Sequence, residues 1–233
     1  MHRFFAEEDG TIVGEELAHL TRVLRLSVGD EIEALINGRR FQATIETIDK
    51  EAAKIALGEE LPSHEPKCRV TLYQGMCKGD KMDFIVQKCT EMGVSAIVPV
   101  EMKWSVVKID KKDKKTDRYN KIAREAVKQC GRSAVPKVCP PMTLKEALAS
   151  MKKHQSLLMP YENGGDAFNG KITDTDIGIL IGPEGGIAPE EVEAVREIGG
   201  KPVTLGSRIL RTETAGLVAL TLTMHCAGEL GGE

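Results

Sequence analysis

The sequence predicts an α/β fold preceded by a small antiparallel β domain that reads as a barrel. Three observations predict it. Before residue 62, apolar and polar residues alternate with a period of two. After residue 66, short apolar runs alternate with stretches of helical spacing. Between Gly178 and Leu220, two apolar runs each empty into a glycine-bearing loop that leads into a helix. At 233 residues the chain has room for a small domain and a medium one. The proline-bounded polar stretch Pro62-Ser63-His64-Glu65-Pro66 marks the boundary, giving domains 1–65 and 66–233.

Leu17, Leu20, Val23 and Leu24 have helical spacing, and Ser27-Val28-Gly29-Asp30 ends that helix. Ile32, Ala34 and Ile36 then alternate with polar residues. Asn37-Gly38 is a strong type I′ hairpin signal, and Phe41, Ala43 and Ile45 resume the alternation. A third run covers Ala52 to Leu57.

Past the boundary, Val70 to Gly75 reads as a strand and 79–92 as a helix with Met82, Ile85, Cys89 and Met92 on one face. Val94 to Val100 is a second buried strand. Tyr119, Ile122, Ala126, Val127 and Cys130 mark another helix, stopped by Gly131. Thr143 and Glu146 form a capping-box pattern, and Gln155 to Met159 is a further strand. Ile177 to Ile181 and Pro202 to Leu205 read as buried parallel strands. Between them Pro189, Glu190 and Glu191 open a helix that Gly199-Gly200 ends. The last helix, Thr214 to about Leu230, is apolar on most of its circumference, as for a central helix or one at a subunit interface.

Composition narrows the function. The chain has a formal net charge of −3, so any surface for nucleic acid must be local. One stretch meets that condition. Between Glu101 and Lys137, twelve Lys or Arg stand against five Asp or Glu. The cluster Lys108, Lys111, Lys112, Lys114 and Lys115 reads equally as a solvated loop or an RNA contact. Arg118, Arg124, Lys128 and Arg132 extend it along a helix, which favours a phosphate-facing surface. Arg3, Arg22 and Arg25 extend the charge further or are ordinary surface residues. Six cysteines without a Cys-x-x-Cys pair, no long apolar run and no secretory leader point to the cytoplasm and away from membranes. The five histidines lack metal-binding spacing, so no metal is expected.

The two glycine-bearing loops are the candidate site. Gly182, Gly185 and Gly186 remove three side chains from one bend, stiffened by Pro183, and leave Glu184 as its charged group. Glycines alone serve tight strand-to-helix turns in many α/β folds. The second loop adds Ser207, Arg208, Arg211, Thr212, Glu213 and Thr214 to apolar surroundings. Polar loops at the ends of neighbouring strands are where such folds bind ligands. Neither loop has the Gly-x-Gly-x-x-Gly or Gly-x-x-x-x-Gly-Lys pattern, which argues against an ordinary dinucleotide or triphosphate.

Taken together these residues resemble the SPOUT class of RNA methyltransferases, and within it the bacterial family that methylates N3 of a uridine in 16S ribosomal RNA. The likeness runs over nearly the whole chain. It is carried by His2-Arg3-Phe4-Phe5, His19-Leu20, Val23-Leu24-Arg25-Leu26 and Gly29-Asp30, then by Lys81, Gln87-Lys88, Thr90 to Val94, Glu125-Ala126 and Gln129 to Arg132. It is strongest at Ile181 to Gly186 and at Leu205 to Ala215. The chain departs from the family's Ser-Glu-Arg-Ser-like segment at Met102-Lys103-Trp104-Ser105, and Ile187 stands where an aromatic residue is frequent.

The resemblance implies a C-terminal trefoil-knot α/β domain, a small N-terminal PUA-like RNA-binding barrel, a homodimer, and S-adenosylmethionine as methyl donor. It implies donor contacts from Met159, Gly182, Glu184, Gly186, Leu205, Gly206, Ile209, Leu210 and Thr212. Arg211, with Arg132 second, would stabilise charge on the base or a phosphate, and Glu184 and Glu213 are the candidate proton acceptors. Arg3, Arg22, Arg25, Arg124 and Arg132 are the candidate RNA contacts. Three readings stay open: the same fold and donor with a ribose 2′-oxygen as acceptor, action on a different RNA, and a non-catalytic RNA-binding module.

Overall fold

The computed structural model describes residues 1–110 and 115–231. Lys111, Lys112 and Lys114 of the predicted lysine cluster lie outside the described residues. The chain divides into two compact units. One comprises Met1–Glu65 with Val127–Val135, and the other Pro66–Ala126 with Pro136–Glu233.

In the first unit, β1 (Arg3–Phe5) and β2 (Thr11–Val13) precede helix α1 (Gly14–Ala18), and β3 (Glu31–Ile36), β4 (Arg39–Ile48) and β5 (Ala52–Leu61) follow. They form one sheet in the order β1-β3-β4-β5-β2. Asn37 and Gly38 both take positive φ (49° and 76°), as the hairpin between β3 and β4 requires. Phe4, Ile12, Leu20, Ile32, Ala43, Ile45 and Ala53 fill the core.

Two expectations need correcting here. The sheet is not wholly antiparallel, because β1 pairs with β3 in parallel. Nor does one regular helix carry Leu17 to Leu24: α1 is followed by a π-helical turn, His19–Val23, closed by Leu24 N–H donating to His19 O at 3.0 Å. The wider turn rotates the helical face, so Leu20 is buried while Val23 is 67% exposed.

The second unit holds β6 (Arg69–Gly75), α2 (Lys81–Glu91), β7 (Ala96–Glu101), most of α3 (Lys115–Cys130), β8 (Lys137–Val138), β9 (Met142–Thr143), α4 (Leu144–Met151) and β10 (Ser156–Pro160). It continues with β11 (Asp166–Ala167), β12 (Asp176–Ile181), α5 (Pro189–Glu197), β13 (Lys201–Thr204) and α6 (Thr212–Cys226). The sheet runs β11-β13-β10-β12-β6-β7-β8, with β9 also on β7, and every pairing is parallel. Parallel pairing puts the C-terminal ends of β7, β12, β10 and β13 on one edge, where their loops meet.

One face packs α2, α3 and α6 on Leu72, Ile85, Ile97, Ile179 and Leu220; the other packs α4 and α5 on Tyr73, Val98, Met151, Met159 and Val195. The capping box of α4 forms as expected, with Thr143 Oγ1 accepting from Glu146 N–H at 3.3 Å. Helix α6 starts two residues earlier than expected and ends four earlier. Its end comes where Gly228 takes φ +78°.

Candidate active site

Strand β12 delivers the first loop. Its buried run ends at Ile181, and the chain turns through Gly182-Pro183-Glu184-Gly185-Gly186 before Pro189 opens α5. Close packing demands the glycines. A Cβ on Gly182 would stand 2.8 Å from Ile187 Cγ1, and one on Gly75, at the end of β6, 2.3 Å from Pro183 N. Gly186 has φ +79°, and a Cβ there would lie 2.6 Å from Glu162 Oε1.

Thr212, at the start of α6, fastens this loop. Its hydroxyl donates to Gly182 O at 2.6 Å and accepts from Gln74 Nε2 at 2.8 Å. Gln74 is fully buried, and its Oε1 has no hydrogen-bond partner.

Strand β13 delivers the second loop. Gly206 takes φ +110°, and its N–H donates to Thr204 Oγ1 at 3.2 Å. The third loop follows β10, where Tyr161 N–H donates to Val203 O at 3.0 Å.

Together the three loops enclose a cleft. Its larger part, about 380 Å³, is lined by Lys81, Pro160, Glu162, Ile181 to Ile187 and Ile209 to Thr212, with Ala215. A neighbouring part of about 110 Å³ adds Tyr161 and Thr204 to Arg208, and shares Pro160, Glu162, Ile209, Leu210 and Ala215. Ile209 lines both parts and is 86% exposed, an apolar side chain that the fold leaves open to a ligand.

Charge in the cleft is arranged around Lys81. Its Nζ donates to Glu184 Oε1 at 3.1 Å and stands 3.5 Å from Glu213 Oε2. Glu184 Oε1 also accepts from Lys78 N–H at 3.0 Å. Partial burial pushes the Glu184 carboxyl up, but these hydrogen bonds outweigh it and hold the group below the usual glutamate range. The Lys81 ammonium is raised, chiefly by its hydrogen bond to Glu184. Nearby Cys77 is pushed up to about 12 by burial and then by Glu184, so it stays a thiol. The guanidinium of Arg211, also on the lining, has no ion-pair or hydrogen-bond partner among the described residues.

Most of the predicted donor contacts fall on this cleft: Gly182, Glu184, Gly186, Leu205, Gly206, Ile209, Leu210 and Thr212 all line it. Met159 does not. Alternation along β10 turns Leu157 and Met159 into the core, where Met159 is 0% exposed, and the cleft is reached instead by Pro160, Tyr161 and Glu162. Glu162 carried no motif, although it follows a strand end; Gln74 lay within an apolar run without a pattern to flag it.

The predicted RNA contacts are scattered. Arg22 and Arg25 are exposed in the first unit, and Arg124 is exposed on α3. Arg3 is committed inward, with Nε donating to Glu33 Oε2 at 2.9 Å and one NH to Lys128 O at 2.8 Å. Arg132 belongs to the first unit and is 5% exposed; it donates twice to Glu65 Oε2, at 3.0 and 2.7 Å. Among the described residues no cluster of His, Cys, Asp or Glu could hold a metal ion. No helix there is long and apolar enough to cross a membrane.

The cleft and its loops have counterparts in known proteins. Residues 64–224 match the RNA methyltransferase domain family, and residues 12–57 match the RNA methyltransferase PUA domain family. The chain is 34% identical over 236 residues to ribosomal RNA small subunit methyltransferase E of Bacillus subtilis, covering 96% of this chain and 92% of the relative. It is 31% identical to the protein of that name in Aquifex aeolicus, over 97% of this chain and the relative's full length. Among solved structures, the Neisseria gonorrhoeae ribosomal RNA small subunit methyltransferase E bound to S-adenosyl methionine superposes with a TM-score of 0.86 at 32% identity. It covers 97% of each chain. With a small N-terminal PUA domain, a parallel-sheet α/β domain and matches over nearly its whole length, the chain belongs to the RNA methyltransferase family that includes the ribosomal RNA small subunit methyltransferases E.

Proposed function

We propose that this chain methylates N3 of a uridine in small-subunit (16S) ribosomal RNA, with S-adenosylmethionine as donor. The observation that carries the reading is the three-loop cleft with unpaired Arg211 on its wall. The residues present suit that donor. Ile181, Ile187, Ile209, Leu210 and Ala215 offer an apolar seat for a flat ring, and glycine backbone offers amides and carbonyls within reach of its edges. Glu162 and Glu184 give the cleft carboxylates that suit a cationic ligand. When bound, the donor supplies an electrophilic methyl group on a sulfonium.

The chain's own residues orient the acceptor and manage its charge. Uridine N3 carries a weakly acidic proton; its loss to solvent water leaves negative charge on the base, and the N3–methyl bond then forms as the sulfonium sulfur–methyl bond breaks, leaving a neutral thioether. We assign Arg211 to stabilising that charge, since its guanidinium is free to turn toward a ligand. Glu184, held ionised and tied to Lys81, is a weak proton acceptor; we assign it to fixing the loop and facing the donor's positive charge. Glu213 is likewise engaged by Lys81. Thr212 acts as a strut, because both of its hydroxyl interactions are internal. We assign Arg132 to holding Glu65 and the first unit together rather than to the reaction.

We further propose that β10, lying between β12 and β13, marks a trefoil-knotted chain, and that α6, with Leu217, Val218 and Leu222 only partly covered, packs against a second copy in a homodimer. The reaction is assigned to the cytoplasm. The first unit is assigned to gripping RNA, through Arg22 and Arg25 in particular, with Arg124 on α3 adding a further contact.

The deciding experiment incubates the protein with isotope-labelled S-adenosylmethionine and small ribosomal subunits from a strain lacking the activity, then identifies the labelled nucleoside. Label in N3-methyluridine is expected. Label in a 2′-O-methyl nucleoside would keep the donor and fold but move the acceptor atom. Arg211→Ala is expected to lower turnover without lowering the unfolding midpoint, and full activity in that variant would remove Arg211 from the mechanism.

A further inference from the structure

Beside the cleft stands an aromatic side chain that folding does not bury. Trp104, the chain's single tryptophan, is 42% exposed and belongs to none of the three core clusters. It lies in the turn after β7, on the same sheet edge as the three loops. A Cβ on Gly185 would stand 2.9 Å from Trp104 Cβ, so the bare glycine lets the turn press against the outside of the cleft wall.

The turn is fixed from both sides. Ser105 N–H donates to Met102 O, and Met102 N–H donates to Ser105 Oγ, each at 3.0 Å. One buried carboxylate, Glu191, joins this turn to the first loop: Oε1 accepts from Lys103 N–H at 2.7 Å and Oε2 from Ala188 N–H at 3.0 Å. Trp104 itself is not part of the cleft lining.

We infer that Trp104 is the stacking platform for a nucleobase flanking the methyl-accepting nucleotide in single-stranded RNA. The inference rests on the RNA methyltransferase reading above. An exposed indole on an immobilised turn gives a base a flat face at small entropic cost. Its place outside the wall suits a neighbour of the target rather than the target. Phosphate contact is the weaker reading for this turn, because its one cation, Lys103, is paired with Glu190. Trp104 is thus a positioning residue, acting on where the strand lies and not on the reacting atoms.

A single tryptophan makes the test direct. Polyuridylate is titrated into the protein while indole emission is followed, and kcat and KM are measured on small ribosomal subunits for the parent, Trp104→Ala and Trp104→Phe. Stacking predicts saturable quenching by polyuridylate. It also predicts a rise of about ten-fold in the KM of Trp104→Ala for subunits, with kcat and the KM for donor unchanged and Trp104→Phe recovering most of the loss. An active parent whose emission ignores polyuridylate, or a Trp104→Ala variant with parental KM, overturns this inference and leaves the proposed function standing. Emission that changes with protein concentration alone also overturns it, since a second copy would then cover the indole. A parent that transfers no methyl group to any RNA sinks the underlying reading and this inference with it.

Discussion

Thr212→Val tests whether the hydroxyl is a strut or a ligand contact. Valine keeps the shape and removes one donor and one acceptor. Gly182 O then loses a hydrogen bond of 2.6 Å, and Gln74 Nε2 loses its bond of 2.8 Å and keeps only the longer one to Gly75 O at 3.2 Å. Stranding a buried polar group costs about 1–3 kcal/mol. With the buried amide half-served and the cleft-lining carbonyl left to water, the loss should total about 2 kcal/mol. For an ordinary urea dependence that moves the unfolding midpoint down by roughly 1 M. Calorimetry should show weaker S-adenosylmethionine binding in the same variant, because the Gly182 loop loses its fastening. Adding Gln74→Met removes the partner as well, and the double variant should cost less than the two single changes summed, by about 1 kcal/mol. A Thr212→Val midpoint within about 0.2 M of the parent would refute the strut. So would strict additivity in the double variant.

Other outcomes follow from the same geometry. Gly216→Ala should destabilise the protein in urea by about 1–2 kcal/mol although alanine is the better helix former, because a Cβ there would stand 2.9 Å from Gln74 Oε1 and Gln74 is pinned. Arg132→Ala should lower stability by about 2 kcal/mol by taking the guanidinium from Glu65, which keeps only the Ser133 and Ala134 N–H groups, while calorimetric affinity for S-adenosylmethionine stays at the parental value. Acid should weaken the first unit through Glu33 and Glu65. Burial raises each carboxyl, but Arg40 and Arg3 outweigh it at Glu33, and Arg132 with the Ala134 and Ser133 N–H groups outweighs it at Glu65, so both end below the usual range. A carboxylate lowered on folding adds stability above its unfolded value, and that contribution is lost as pH falls through the folded one. Urea midpoints should therefore drop below about pH 4.5, the ordinary glutamate value, and Glu33→Gln should flatten that drop.

Elements written in local patterns were legible: the hairpin at Asn37-Gly38, the capping box at Thr143, and the strands that empty into the Gly182 and Gly206 loops. Features set by distant partners were not. β1 has three residues and no alternation long enough to notice, and its parallel pairing is decided by β3, some thirty residues on. The π-turn at His19–Val23 changes the period inside an apolar stretch that reads as an ordinary helix. At the candidate site, sequence identified the loops but not the direction of every side chain. Met159 points inward because strand alternation decides it. Arg3 and Arg132 look like surface cations by composition and become internal ones through Glu33 and Glu65, residues that only the fold brings to them.

The discontinuous makeup of the first unit bears on how this protein can be cut and grafted. Its fabric includes Val127–Val135, where Ser133 Oγ donates to Gly38 O at 2.6 Å and the N–H groups of Ser133 and Ala134 donate to Glu65 Oε1 at 2.8 and 3.0 Å. A truncation ending at residue 65 would keep all five strands yet strip Glu65 of its partners and expose the carbonyl of the hairpin glycine. A transplant into another enzyme would have to carry two pieces of chain, inserted at separate points of the host. The module is therefore built from a pair of segments, and a deletion anywhere in 127–135 is an injury to a domain whose first segment ended some sixty residues earlier.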